Sequence, residues 1–382
     1  VDELARFLAE RDERNTRRRL SPLDGRAPGR AEVAGRIFVD FSSNDYLGLS
    51  DHPALVNAAH EALAQYGVGA GASRLMSGDL AIHHELEEAV AEFKGTEAAL
   101  VFTSGFQANT AIIPALVDRH DAVFADALSH ASLLDGVLLS RAKLIRFRHN
   151  DPGDLAALLE KHRGQCRRAL VITESVYSMD GDRAPLAEFV ELKKRHDCRL
   201  YVDEAHATGV FGTYGQGCVG ADGLTGQVDF IMGTFSKALG GLGAYLASSR
   251  LVIDYLVNAA RGFIYTTALP PVILAANIAA LRVCREEPGL GAGLLEKAVA
   301  FRAALRARGW DARGECQIVP VIVGESARAL ELSAALSEKG FRVLAVRPPT
   351  VPEGAARLRF SLSVAHTDEQ LLGVLEALEI HL

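Results

Sequence analysis

Seven short apolar runs dominate the middle of the chain: Ala98–Phe102, Ala122–Ala125, Lys143–Phe147, Ala169–Thr173, Arg199–Val202, Phe230–Met232 and Ala244–Ala247. Helical patterns of about 10 to 18 residues separate most of them. This β–α alternation predicts an α/β fold, with a mostly parallel central sheet and helices on both faces.

Helix punctuation points the same way. Asp51 as N-cap, Pro53 in the first turn and Gly67 at the stop bracket a helix over 52–66. Asp79 and Gly95 bracket another over 79–94. Upstream, Leu4, Phe7 and Leu8 in a charged background mark one face of an amphipathic helix from residue 3 to about residue 19. A turn-rich stretch from Ser21 to Gly35 leads into a strand at Arg36–Phe41. Downstream, a helical stretch from Ser249 reaches Pro270-Pro271, and a long apolar helix ends near Arg285. Glu287–Gly293 reads as a linker. Helix 294–308, strand 317–323, helix 326–339, strands 341–346 and 357–363 and helix 367–380 then form a small α+β unit. The expected organisation is an N-terminal helix and strand segment over 1–48, a large α/β domain over 49–287 and a small C-terminal α+β domain over 288–382.

At 382 residues and 49% hydrophobic, the chain has material for a large core. Its net charge of −7 argues against a nucleic-acid partner. The basic run Arg17-Arg18-Arg19 lies among Glu10, Asp12 and Glu13 and reads first as a solvated helix face. No stretch of ~18 apolar residues occurs, so no transmembrane helix and no membrane partner are expected. The N-terminal residues show no signal-peptide hydrophobic region. The five cysteines, Cys166, Cys198, Cys218, Cys284 and Cys316, are odd in number and widely spaced, with no C-x-x-C pair. A reduced, cytoplasmic setting is expected.

Several chemistries are excluded. No lysine precedes Ser or Thr, so there is no Walker A loop, and the D-E-A-H string at Asp203–His206 lacks its phosphate cradle. His84-Glu85 opens an H-E-x-x pattern that ends on Glu88, which leaves no zinc-protease site. His83 and His84 read as helix-surface residues, and no metal is expected.

With eight lysines against 33 arginines, each lysine stands out. Lys237 follows an apolar strand and precedes Ala238, Leu239 and a glycine turn. It is either a snorkelling loop lysine or one in a desolvated site, where a depressed pKa frees the amine to form a Schiff base. Asp203 stands at a strand end, where α/β sheets bind ligands. A buried carboxylate there needs a partner, either a protonated ring nitrogen or one of the arginines. Phe102-Thr103-Ser104-Gly105-Phe106 is a strand, a turn and a helix start, suited to a phosphate. His130 begins another helix and either packs there or lies on an aromatic cofactor.

In this order the pieces resemble the fold-type I pyridoxal-phosphate enzymes, the aspartate-aminotransferase-like transferases. Ser43-Asn44-Asp45-Tyr46-Leu47-Gly48-Leu49, Ser129-His130-Ala131-Ser132, Val202-Asp203-Glu204-Ala205-His206 and Thr234-Phe235-Ser236-Lys237 resemble the α-oxoamine synthases. Arg347-Pro348-Pro349-Thr350-Val351-Pro352, with Arg357-Leu358-Arg359, resembles the biotin-pathway branch. The likeness runs from the N-terminal arginines to His366.

The resemblance implies pyridoxal 5'-phosphate (PLP) as cofactor and a homodimer with the active site at its interface. It implies that Lys237 forms the Schiff base and moves the α-proton, that Asp203 pairs with the pyridine nitrogen, that His206 bonds ring O3′ and that His130 stacks on the ring. Gly105 and Phe106, with Thr234 and Ser236, would hold the phosphate, and Ser175 would sit beside the cofactor. Thr266 or Thr267 would reach the phosphate across the dimer. Arg359 would receive the amino-acid carboxylate, with Asn44 and His130 near that substrate. Arg17 and Thr350 would contact the acyl substrate, with Arg347 in the same pocket, which moves Arg17 from solvated face to substrate site. Glu204 and Ala207 would carry no chemistry.

The implied reaction is the PLP-dependent condensation of L-alanine with a pimeloyl thioester, on CoA or a carrier protein, with loss of CO2. Other members of the family pair glycine with acetyl-CoA or serine with a long acyl chain. A small domain hinged near Pro288-Gly289 would close over the substrates. A reading from another class, a nucleotide-binding module on a Rossmann-like sheet, predicts a colourless protein.

Overall fold

In the computed structural model, which describes residues 1–380, the apolar runs assemble into a seven-stranded sheet. Its order is Ala98–Phe102, Ala244–Ser248, Phe230–Thr234, Arg199–Asp203, Ala169–Glu174, Ala122–Asp126, Lys143–Phe147. Ala244–Ser248 is antiparallel to both neighbours, and the other pairs are parallel. Five strands are buried at every position, which is why they read as continuous apolar runs. The edge strand Lys143–Phe147 keeps Lys143 and Arg146 exposed. Leu100, Phe102, Phe230, Met232 and Leu246 pack against Ile112 and Ile113 of the helix Gly105–Leu116 and Leu133 and Val137 of the helix Ala131–Ser140.

Five strands run further than the sequence reading placed them. Asp126, Glu174, Asp203, the pair Gly233-Thr234 and Ser248 all belong to strands. The apolar pattern stops at those residues, but the hydrogen-bond ladder does not.

Helix starts also shift. His52, not Asp51, caps Pro53–Tyr66 and accepts from the Ala54 N–H. The next helix is Ala81–Lys94, and Asp79 instead pairs with Arg74 and His84. Gly67 and Gly95 stop their helices with φ of 75° and 68°, a region that glycine enters at little cost. His83 is buried rather than on the surface, while His84 is exposed.

The chain divides into two compact units. The sheet unit comprises Leu49–Ser178 and Arg183–Ala292. The other comprises Val1–Gly48, Met179–Asp182 and the chain from Gly293 on. The expected division into three consecutive segments is corrected by strand pairing. Phe341–Arg342 adds in parallel to Arg36–Asp40, completing a four-stranded sheet with Gly25–Ala27 and Arg30–Val33. Residues 1–48 therefore share a sheet with the C-terminal part. The expected strand 341–346 splits, because Ala345–Val346 pairs instead with Ala356–Ser361 and, through it, Ile318–Gly324. The linker is shorter than expected, since the helix Leu290–Ala307 begins inside it. The N-terminal helix ends at Glu13 and buries none of its residues; Leu4 and Phe7 are exposed. Among the described residues no helix is long and apolar enough to cross a membrane.

Candidate active site

The parallel strands deliver Asp126, Glu174, Asp203 and Thr234 to the C-terminal edge of the sheet, where open α/β folds bind their ligands. Asp203 is buried. Its Oδ1 accepts the Ala205 N–H at 2.9 Å, and its Oδ2 accepts the Asn109 amide at 2.9 Å. Neutral N–H donors thus meet the carboxylate where an arginine was one expectation. Asn109 donates its second amide hydrogen to Ser132 Oγ at 2.9 Å and accepts from the Tyr201 hydroxyl at 2.7 Å. Ser132 Oγ lies 2.8 Å from His130 Nδ1. An unbroken chain of polar contacts therefore runs from Asp203 to His130.

Lys237 is half-buried, with its Nζ 2.8 Å from Nε2 of the buried His206. Its turn depends on Gly240, at φ 67°, where a Cβ would stand 2.5 Å from Ser50 N. Ser175 is buried next to Asp203, and its N–H donates to the Asp203 carbonyl at 2.9 Å. Glu174 is the cross-strand partner of Asp203, and its Oε1 accepts the His130 N–H at 2.6 Å. Burial pushes the Glu174 carboxyl well above the usual range, and neighbouring Asp203 adds to the effect. Desolvation lowers the His130 pKa; Asp203 opposes this and Lys237 reinforces it.

At the start of Gly105–Leu116, Ser104 caps the helix by accepting from Gln107 at 3.1 Å. The first-turn N–H groups of Gly105 and Phe106 have no acceptors inside the helix. Thr234 is buried, donates to the Gly243 carbonyl at 2.7 Å and accepts from Ser236 N at 3.1 Å. Ser236 is exposed. Thr266 is half-buried and Thr267 exposed, the latter bridged to Ser73.

Behind the Asp203–His206 turn lies a buried ion pair that the sequence did not announce. Lys94 Nζ contacts Glu204 Oε2 and the Gln216 carbonyl, and both side chains are almost fully enclosed. Glu204 Oε1 accepts from Val219 N at 2.8 Å. Gly217, at φ 98°, is required here because a Cβ would strike the Glu204 carboxylate.

In the second unit, Arg359 and Asn44 do come together. Arg359 donates to Ser361 Oγ at 2.6 Å, to the Tyr46 hydroxyl at 3.3 Å and to Asn44 Oδ1 at 3.4 Å. Burial pushes the Tyr46 pKa up to about 12, against the opposing effect of Arg359. Arg17 pairs with Asp12. It is Arg18 that reaches Thr350, at 2.8 Å from its hydroxyl. Arg347 donates to the Asn15 carbonyl. Burial, with Arg18 nearby, holds the Arg347 pKa below the ordinary arginine value.

Asn109, Glu174, Lys94 and Glu204 were missed as contributors. Asn109 stands three residues past Phe106 and Glu174 directly before Ser175, but nothing in their spacing shows that they join Asp203 and His130 to one another.

Residues 36–378 match the model of the family described as aminotransferase class I and II. The chain is 48% identical over 371 residues to the 8-amino-7-oxononanoate synthase of Geobacter sulfurreducens, covering 96% of this chain and 95% of that protein. A serine palmitoyltransferase variant from S. paucimobilis, solved with a bound PLP–myriocin aldimine, superposes with a TM-score of 0.93 at 33% identity, covering 99% and 96% of the two chains. The crystal structure of 8-amino-7-oxononanoate synthase from Francisella tularensis superposes with a TM-score of 0.78 at 31% identity, covering 90% and 97%. Backbone likeness does not separate these activities, and the 48% identity over nearly the whole chain is to an 8-amino-7-oxononanoate synthase. The chain belongs to the aminotransferase class I and II family and, within it, to the 8-amino-7-oxononanoate synthases.

Proposed function

We propose that this chain condenses L-alanine with a pimeloyl thioester, on CoA or a carrier protein, to give 8-amino-7-oxononanoate, CO2 and the free thiol. The observation that carries this reading is the Lys237–His206 contact of 2.8 Å beside a buried Asp203 at the sheet edge. The donor set fits PLP: an amine for its aldehyde, a carboxylate for its protonated ring nitrogen and first-turn helix amides with hydroxyls for its phosphate. A Cβ at Gly105 would stand 3.3 Å from Met232 Cε, so the glycine lets the helix start approach the strand Phe230–Thr234 closely. Bound there, PLP supplies an electron sink for charge developing at the amino-acid Cα.

In this reading Lys237 Nζ takes the Cα proton of alanine and later returns one. His206 would bond ring O3′ and steadies the lysine amine. Asp203, held in place by Asn109 and Ala205 N, would keep the ring nitrogen protonated. His130 and Ser175 would hold the ring, and Gly105, Phe106, Thr234 and Ser236 the phosphate. Arg359, with Asn44, takes the alanine carboxylate. A C–C bond forms from alanine Cα to the thioester carbonyl carbon, the C–S bond breaks and the thiolate leaves. The Cα–carboxylate bond then breaks to release CO2. Arg18, Arg347 and Thr350 receive the acyl substrate, and Arg17 orders that segment through Asp12.

We further propose a homodimer in a cytoplasmic setting. Met76, Tyr265 and Phe106 are large apolar side chains at 76%, 71% and 50% exposure in the sheet unit, a surface suited to a second copy that brings Thr266 or Thr267 to the phosphate. The cysteines are free.

Borohydride reduction of the PLP-loaded protein followed by peptide mapping tests the site. The expected label is on Lys237, and Lys237→Ala should carry no label and no turnover. A label of wild-type yield in Lys237→Ala rules out the lysine assignment. A panel of pimeloyl, acetyl and long-chain acyl-CoA with alanine, glycine and serine tests the substrates, with alanine and pimeloyl expected to lead.

A further inference from the structure

Three carboxyl side chains, those of Asp126, Glu174 and Asp203, end adjacent parallel strands at the sheet edge, and only Asp203 has a place in the reaction above. Glu174 and Asp203 are direct cross-strand partners, and both are buried. Their hydrogen bonds differ. Asp203 receives two N–H donors, from Asn109 and Ala205, one on each oxygen. Glu174 Oε1 receives the His130 backbone N–H at 2.6 Å. That N–H belongs to the N-cap residue of Ala131–Ser140, whose ring nitrogen accepts from Ser132 N at 3.3 Å. Backbone and ring of His130 are thus each fixed, the backbone through Glu174 and the ring through Ser132.

We propose that Glu174 is a positioning residue for His130, its Oε1 acceptor setting where the imidazole lies against the cofactor plane. The inference rests on the PLP reading of the site.

The charges around Glu174 fit this role. Asp203 and Asp126, on the two strands that flank it, face it with negative charge; Lys237, in the turn after Phe230–Thr234, faces it with positive charge. The Tyr177 hydroxyl lies 3.5 Å from its backbone N–H. Burial and the two aspartates favour the neutral acid. A neutral acid still offers an acceptor oxygen, and its O–H matches the amide N–H of glutamine. Asp203 and Glu174 thus differ in their donors, two N–H groups on the one and the His130 backbone N–H on the other, as they differ in their parts at the site.

The test compares Glu174→Gln, Glu174→Leu, His130→Ala and the Glu174→Leu/His130→Ala double variant, all as PLP-loaded protein. The readouts are visible circular dichroism of the bound cofactor, the pH midpoint of its visible band, and kcat and KM for alanine. Glu174→Leu should weaken the visible dichroism and lower kcat on the order of 100-fold, as small misplacements in an active site do. Glu174→Gln should restore both, with its pH midpoint unchanged from wild type. In the His130→Ala background the leucine change should add no further loss.

Equal losses from Glu174→Leu with and without His130 overturn the proposal. So does a Glu174→Gln midpoint displaced downward by a full pH unit, which would mark Glu174 as an anion acting through its charge. The glutamine comparison decides the matter even if the leucine variant fails to fold. A wild-type protein with no visible band in PLP overturns the underlying reading, whereas variants indistinguishable from wild type overturn this inference alone.

Discussion

Asn109 donates an amide hydrogen to Asp203 Oδ2 at 2.9 Å, from a side chain whose other polar positions are taken by Ser132 and Tyr201. Replacing it with leucine leaves three buried groups short of a partner. Asn109→Leu should cost roughly 1–3 kcal/mol of stability and weaken PLP affinity. Denaturant melts and a PLP titration followed by absorbance check both. Unchanged PLP affinity would remove Asn109 from the cofactor site.

The Lys94–Glu204 pair is enclosed on all sides, so breaking it should cost more than deleting it. Lys94→Met leaves a buried carboxylate unpaired one residue from Asp203, and about 3–5 kcal/mol of stability should go. Lys94→Met/Glu204→Leu should recover much of that loss. A double variant as unstable as the single one would show that the pair is not the source of the penalty.

Burial holds the Arg347 pKa down, and the like charge of nearby Arg18 adds to the effect. Their polar contacts are neutral, to Thr350 and the Asn15 carbonyl. An anionic acyl substrate relieves that repulsion. Arg347→Gln should raise KM for pimeloyl-CoA roughly tenfold, the scale of one charge-assisted hydrogen bond, and leave KM for alanine unchanged. Steady-state kinetics with each substrate varied in turn separates the two effects.

His366 carries a pH signature. Its Nδ1 accepts from Ser363 N at 3.1 Å, its Nε2 donates to the Asp40 carbonyl at 3.2 Å, and burial lowers its pKa from 6.5 to about 4. The folded chain therefore resists a proton that the unfolded chain accepts. Stability is fully present above pH 6.5 and drains as pH falls towards 4, by about 3 kcal/mol at most. Thermal melts of wild type and His366→Gln between pH 7 and 4.5 should show a shallower acid loss in the variant. Parallel slopes would contradict this assignment.

The sheet was legible because its strands are buried on both faces, and burial leaves an unbroken apolar run. Strand ends were not, because Asp126, Glu174 and Asp203 break the pattern while staying in the ladder. The N-terminal 48 residues looked separate because the strand that ties them to the C-terminal part, Phe341–Arg342, is two residues long and distant in sequence. That Lys237 meets His206 in the turns beside the strand end at Asp203 follows from where their strings stand. The supports could not be read this way: Lys94 and Glu204 are 110 residues apart, Asn109 and Asp203 are 94 apart, and only the folded chain joins them. Arg17 and Arg18 are neighbours in a run of three, and the side chain that turns towards Thr350 is a property of the fold rather than of the run.

The most direct measurement is mass-spectrometric product analysis of the PLP-loaded protein supplied with L-alanine and pimeloyl-CoA, with CO2 and free thiol counted alongside. One 8-amino-7-oxononanoate, one CO2 and one thiol per turnover are expected, and none from the Lys237→Ala variant. Thiol release without the amino-ketone, or product formation that persists without Lys237, would contradict the assignment of this site.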